Sequence, residues 1–574
     1  MIRNGSSKKW MLTIAAAATV ATMTSRAAAQ PPSEAHIQEL IRLAAERVAN
    51  GQTGAVTAAQ TIQTPAAQGD TRPIVRLTLD EAVKFALERN LDISVQRLNP
   101  EINDIALASL KSLYNPALTS QVGNQSVAQL PTTQLVGGTN VEQSTLTYNG
   151  GIAQSIPWGG GAFSAALNNF RRESTSNNVL YNPAFNSVWT AAYTQPLLRG
   201  FRTDSTRQQI QVTKVNRDIS DVQLRATITN TLSNVRNAYW DYVFAVQAVD
   251  VARQSLDLAN KLVQDNQTRV QVGTMAPIDV VQAQSEQATR RQVLVTAEST
   301  RRTTELALKR LIVAGTQDPN WNASLDPIDR PDFRPEPIDI EAAVRRALGE
   351  RTDLEIAKKN IAINDVTLKL LEDQTLPQTD LVATYGLQGI GGTRFERSSS
   401  GTLGAAPTTI VPGGLGDTFH AMFANTYPTW NVQLNLSYPI GTSTQKASVA
   451  RARVQVNQVQ AQVKQIELQV ATDVTSAALT AQSNAEAVQA AQAARELSQR
   501  KLEAEQSKFE VGMSTNYFVV QAQRDLADAQ NSELRAVLNY RKALVELERL
   551  QQTTLQNANI TILSPTGVAT TTAR

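Results

Sequence analysis

The stretch RVQVGTMAPIDVVQAQ at 269–284 is answered by KFEVGMSTNYFVVQAQ at 508–523. Gly273 and Gly512 hold matching places 239 residues apart, and each is followed by VVQAQ, at 280–284 and at 519–523. Glycine accepts the left-handed backbone that ends a helix without steric cost. No Gly or Pro interrupts the chain between Phe201 and Val272 or between Thr442 and Val511. At ~1.5 Å per residue such a run allows a helix of roughly 100 Å, longer than a compact core needs. Each bend therefore reads as the turn of a helical hairpin with very long arms.

Upstream of the arms the duplication continues. LTLDEAVKFALERNLDI at 77–93 aligns with IDIEAAVRRALGERTDL at 338–354 at an offset of 261. Leu79 meets Ile340, Ala82 and Val83 meet Ala343 and Val344, Ala86 and Leu87 meet Ala347 and Leu348, and Asp92 meets Asp353. These positions mark one apolar helical stripe in each copy. A further helix follows each of these opening segments. In the first copy Asn99 is expected to cap it and Pro100 to take its first position, with an end near Tyr114; in the second it spans about Asp353 to Thr375.

Then the period changes. In WNVQLNLSYPI, Trp430, Val432, Leu434, Leu436 and Tyr438 alternate with Asn431, Gln433, Asn435 and Ser437. One apolar and one polar face fit a barrel strand with lipid outside and water inside. Its counterpart, WTAAYTQPLL at 189–198, alternates less cleanly, with Trp189, Ala191 and Tyr193 on one side. Leu79 to Pro196 is 117 residues and Ile340 to Pro439 is 99, so the first strand region is 18 longer. An extra hairpin accounts for this: Thr145–Ile156, the turn PWGGG, and Ala162–Phe170. The pattern leaves open whether it joins the wall or folds over the mouth. From strand-end proline to bend glycine the distances are 77 and 73, a difference of about one helical turn that makes the long helices nearly but not quite equivalent.

The long helices carry coiled-coil spacing. Ile228, Leu232, Val235, Tyr239, Tyr242, Val246 and Val249 step by four and three, as do Val456, Val459, Val463, Ile466 and Val470. The expected layout is a signal peptide at 1–29 and an extension and linker at 30–72, then two repeats and a tail at 557–574. The first repeat, 73–337, has strands at 116–198, a long helix at 203–268, a tip at 270–277 and a return helix at 278–314. The second, 338–556, has strands at 378–440, a long helix at 444–509, a tip at 511–515 and a return helix at 516–552.

Residues 1–29 have the basic start, apolar middle and small-residue end (Ala27, Ala28, Ala29) of a secretory signal. They hold four basic residues and no acid, so the net charge falls from +3 to −1 on their removal, and nucleic-acid binding loses its main argument. Zero cysteines exclude disulfides and thiolate chemistry. His36 in the extension and His420 in a Gly-rich loop are the only histidines, which disfavours His-based metal sites and triads. No catalytic residue, metal or cofactor is expected, and no Walker-type motif is present.

Opening helix, strands, long helix, VG bend and VVQAQ return, made twice behind a signal, resemble the outer membrane efflux protein (TolC) family over about residues 75–555, with TQPLLRGF at 194–201 similar to its strand-to-helix junction. The resemblance implies a mostly α fold with a membrane β-barrel part, in which a trimeric α-helical tunnel is capped by a shared barrel in the outer membrane. It implies a homotrimer that acts as a passive exit duct for a periplasmic adaptor and an inner-membrane pump. Val272, Gly273, Thr274, Val511, Gly512 and Met513 would be the tip residues meeting the adaptor. Where well-studied members place two constricting aspartates and a nearby basic residue, this chain has Phe518, Gln521 and Ser514, and only Asp279 keeps an acid; a polar and apolar constriction is expected. The rivals are a soluble periplasmic coiled-coil adaptor, which would lack amphipathic strands, and a hydrolase on a helical stalk.

Overall fold

The computed structural model describes residues 73–130, 140–176, 178–330, 333–335, 337–396, 408–441, 443–558 and 560. The expected signal peptide and the extension with His36 lie outside them. A short parallel pair, β1 (Ile74–Leu77) with the later β6 (Ser324–Pro327), lies beside the opening helix of the first repeat. In chain order, α1 (Leu79–Arg89) and α2 (Leu91–Ser112) lead into β2 (Ala117–Gln129), β3 (Val141–Ser155), β4 (Ala162–Ser174) and β5 (Tyr181–Pro196). The long helix α3 (Ser205–Gln271) follows, then its return α4 (Pro277–Ile312) and the single turn α5 (Pro319–Asn322). The second half runs α6 (Ile340–Glu350), α7 (Thr352–Asp373), β7 (Gln378–Glu396), β8 (Thr409–Val411), α8 (Leu415–Phe423), β9 (Pro428–Ser437), α9 (Thr444–Glu510), α10 (Asn516–Leu550) and α11 (Thr554–Asn557).

The two opening helices, α1 and α6, are built alike. Thr78 caps α1 in a box with Glu81, and Asp339 caps α6 through Ala342 N. Ala82, Ala86, Ala343 and Ala347 are all buried, the first pair against α3 and α4 and the second against α9 and α10. The helix expected from Pro100 instead begins at Leu91, with Pro100 inside it. Asn90 explains the difference: its backbone closes α1 while its side-chain oxygen accepts from Asp92 N and Ile93 N to open α2. Its amide also donates to Leu311 O at 3.0 Å, so the corner is pinned to α4. The matching corner in the second repeat falls at Arg351, and α7 starts at once.

Both long helices are 67 residues. The four-residue difference between the copies therefore does not lie in the helices. It lies in the junctions, since Pro196 to Ser205 is nine residues and Pro439 to Thr444 is five. α3 packs on α1, α2, α4, α7 and α10, and α9 packs on α6, α7 and α10. The seam residues Leu232, Val235, Tyr239, Tyr242 and Val249 form part of this core.

The strands make one antiparallel sheet in the order β2, β3, β4, β5, β7, with β9 and the short β8 sharing the far edge of β7. The span expected to hold only strands also contains α8. Its Met422 and Thr418 lie over Gly389 and Gly391 of β7, where a β-carbon would collide with the helix backbone. His420, expected in a loop, is an exposed residue of α8. Tyr438 lies one residue beyond β9.

Candidate functional site

Two regions hold the expected site residues: the helical tips and the strand wall. At the tips, α3 and α9 each end one residue before a valine, with Gly273 at φ +79° and Gly512 at φ +77°. Thr274 N and Met513 N bond back to Arg269 O and Lys508 O, closing the last turn of each arm. This geometry leaves Val272, Val511 and Met513 at 73%, 70% and 79% exposure, apolar side chains held outward at the end of the bundle. Thr274 turns back, its hydroxyl donating to Arg269 O at 3.0 Å.

The two tips form one unit. Leu262, Val263 and Ala283 from the first hairpin pack with Leu502, Phe509, Val519, Val520, Ala522 and Leu526 from the second. Arg269 places its guanidinium 4.4 Å above the Phe509 ring and donates to Phe509 O at 3.3 Å. Buried Asn266 and Asn516 bond side chain to side chain at 3.0 Å, and Asn516 also donates to Asp279 O. Glu286, almost fully buried on α4, accepts from Arg290 at 2.6 Å and from Arg524 of α10 at 2.9 Å. Burial pushes its carboxyl up, but the Arg524 and Arg290 contacts outweigh this and hold it below the ordinary glutamate range.

The four residues expected at the constriction divide. Phe518 is more than half exposed and stands edge-on to Tyr517, also exposed. Asp279 is half-buried. Ser514 donates to Glu505 at 2.8 Å, and Gln521 donates to Asp525 at 2.8 Å. Lys501 in turn pairs with Asp525 at 2.7 Å and, through that hydrogen bond first, lowers its pKa. The tip thus holds Glu505, Asp525 and Glu286 one shell behind the expected positions. Sequence reading missed them because they lie outside the repeated motif; the signal was Glu286 and Arg524, opposite charges just beyond the two copies of VVQAQ.

In the wall, Trp430, Val432, Leu434 and Leu436 all point to one side of β9 and remain 59–76% exposed, with Tyr438 just past the strand at 47%. Opposite them on β7 are Tyr385, Ala383, Leu381 and Thr379. Trp189 and Tyr385 meet edge to face across the β5–β7 pair. A soluble adaptor would lack such strands. Among the described residues no helix is long and apolar enough to cross a membrane, and no cluster of acids or histidines is set to hold a metal ion.

A family model described as outer membrane efflux protein matches residues 112–313 and 343–551, more than half of the chain. Among solved structures, the Campylobacter jejuni CmeC outer membrane channel superposes with a TM-score of 0.58 at 14% identity, over 84% of this chain and 88% of that one. A membrane protein from Pseudomonas aeruginosa gives 0.59 at 16% identity, over 86% and 99%. The outer membrane protein VceC from Vibrio cholerae gives 0.57 at 12%, over 82% and 95%. No curated protein matches the sequence.

Proposed function

The chain belongs to the outer membrane efflux protein family, and is thus an outer-membrane efflux channel with a periplasmic tunnel; from that premise we propose that it works as a passive, homotrimeric exit duct. Three copies share one barrel and one helical tunnel, and the tips dock on a periplasmic adaptor that links the duct to an inner-membrane pump of a tripartite efflux or type I secretion system. The observation that carries this reading is the polarity of the molecule along its length. At one end an amphipathic sheet offers aromatic and aliphatic side chains to lipid. Two 67-residue helices, ~100 Å long at ~1.5 Å per residue, separate it from a tip of exposed Val272, Val511 and Met513 beside Gly273, Thr274 and Gly512.

At that tip Phe518 and Tyr517 form the narrow part of the duct, with Asp279, Ser514 and Gln521 around them. Conduction follows when the two hairpins of each copy separate from those of the next. Purified from outer membranes, the protein is expected to run as a heat-labile trimer and to conduct ions in planar bilayers without any energy source. A monomer in the soluble fraction would end this reading. Phe518→Asp is expected to raise cation preference, whereas strong cation block that vanishes in Asp279→Ala would show an acidic gate instead.

A further inference from the structure

The duplication by itself supplies two wall strands per repeat, β7 and β9 in the second, and so four per chain. The first repeat has four, β2 to β5, which makes six long strands among the described residues, the three-residue β8 at the end of β7 not being counted as a wall strand. We propose that the β3–β4 hairpin is part of the barrel wall, so that three chains close an eighteen-stranded barrel (3 × 6) instead of the twelve-stranded one (3 × 4) that a symmetric duplication would give. The count rests on the trimer proposed above; the place of the hairpin does not.

Register carries the argument. Directly opposed residues of an antiparallel pair share a face. Trp430, Tyr385, Ala191, Ala165, Ile152 and Leu118 are successive partners, one row across all six strands. The next row faces the other way and reads Thr429, Gly386, Thr190, Ala166, Gly151 and Thr119. The lipid-facing side of β9 is therefore continued by the hairpin, with Tyr148 and Ile152 on β3 and Phe163 and Leu167 on β4. The water-facing side is continued by Thr147, Asn149, Ser164 and Asn168. A hairpin folded over the mouth would have no reason to keep this parity.

The foot of the hairpin is fixed at the base of the wall. Its PWGGG turn packs under the β5–α3 junction, where Gln195 donates to Gly159 O at 2.7 Å. Gly160, at φ +68°, lies so close to Gly200 O that a β-carbon would stand 2.4 Å from it. Gly200 N donates to Asp373 at 2.7 Å and Gly200 O accepts from Arg207. The four residues by which this junction exceeds its counterpart make that seat. The sheet also ends in the right way. Among the described residues β2 pairs only with β3, and the outer edge of β9 is unpaired, yet backbone in hydrocarbon must be hydrogen-bonded. With six strands alternating in direction, β2 of one copy runs antiparallel to β9 of the next, so head-to-tail copies close a ring. Barrel diameter grows about linearly with strand number, so this one is about one and a half times as wide as a twelve-stranded barrel.

The native chain has no cysteine, so single and paired cysteines report cleanly. In full-length protein in outer membranes, Ser126→Cys with Ser144→Cys, register partners on β2 and β3, is expected to form an intrachain disulfide. With a membrane-impermeant maleimide, Ala166→Cys and Asn168→Cys are expected to react on the order of tenfold faster than Ala165→Cys and Leu167→Cys, since one residue along a strand exchanges water for lipid. Replacing residues 130–180 by a short turn, which leaves β2 to pair with β5, is expected to narrow the particle's barrel by about one third in electron micrographs. Equal labelling at both parities without the disulfide, or an unchanged diameter, overturns the proposal. A formed disulfide in a chain that never yields a heat-labile trimer overturns the trimer and the count of eighteen together.

Discussion

α3 and α9 have the same length, each a side-chain cap at its start (Asp204 and Ser443), and the same bend, yet they bury very different surfaces. Twenty-two residues of α3 are buried in the single chain and nine of α9. At the shared offset of 239, Val235 and Val474, Tyr239 and Ala478, Tyr242 and Ala481, and Val249 and Val488 are all at 2% exposure or less. The inward stripe is thus kept in position while its volume changes. Tyr239 and Tyr242 reach past the helices to Leu77 O and Leu325 O of the β1–β6 pair, a sheet that among the described residues belongs to the first repeat alone. Burial raises the pKa of both phenols, Tyr242 to about 12. Ala478 lets α6 approach closely instead. Outward positions diverge further: Trp240 is 8% exposed and its counterpart Leu479 is 53%. Duplication has produced one helix that organises the chain and one that keeps a face free for neighbours.

The largest test of this contrast makes one helix resemble the other. Tyr239→Ala removes a buried ring and its hydrogen bonds to Leu77 O and Asp329, and is expected to cost about 4 kcal/mol. Thermal unfolding of the detergent-solubilised protein would read it. A loss below about 1 kcal/mol would place the core elsewhere. Next comes the free face. Leu468 and Leu479 lie three helical turns apart on α9, with Val454 and Leu497 on the same stripe, all more than half exposed. In the proposed trimer, Leu479→Glu puts a charge into an interface, expected to cost about 3 kcal/mol per contact. The heat-labile trimer band should fall while helix content by circular dichroism stays; loss of both would assign Leu479 to the chain's own core.

At the tip the two hairpins are joined rather than contrasted, and the joint has a pH dependence. Glu286 has a depressed pKa in the folded chain. It therefore contributes stability that is present above the unfolded glutamate value and is lost as pH falls through the folded one. Arg524→Ala removes one of its two arginine partners and is expected to cost about 2 kcal/mol at neutral pH and to make the tip less sensitive to acid. Amide exchange over 262–290 at neutral and acidic pH measures both. Equal acid sensitivity with and without Arg524 would assign the joint to the Asn266–Asn516 pair and the apolar cluster.

The sequence showed what repeats and what alternates: the bends, the apolar stripe of the opening helices, the seams and the faces of β9. These depend on local period, which survives without knowledge of neighbours. It did not show what depends on meeting distant parts. Asn90 as a shared cap overrides Pro100, because a buried asparagine oxygen satisfies two helix-start amides and a proline inside a helix is tolerated where packing compensates. α8 was hidden because Gly413, Gly414 and Gly416 read as loop, while the glycines of β7 that admit the helix lie more than twenty residues away. Counting from Pro196 to Gly273 gave the right difference of four but assigned it to the helix, since no local signal marks the junction as the seat of a hairpin turn.

The smallest effect separates geometry from recognition at the two bends. Gly273 and Gly512 have nearly the same φ, and a β-carbon at either would meet nothing within 4 Å. Alanine there meets only the backbone penalty of the left-handed region, about 1 kcal/mol, and the penalty should be equal at both because the added β-carbon touches no neighbour at either. It also acts only on the last turn, so amide exchange near each bend should rise while the global unfolding transition is unchanged. In the isolated protein, unequal effects of Gly273→Ala and Gly512→Ala would mean that the bends are not geometrically equivalent. Equal effects there, followed by unequal losses of binding to the proposed adaptor, would locate the inequality outside the backbone. The side chains that differ around the bends, Thr274 against Met513 and Asp279 against Phe518 among them, would then carry it.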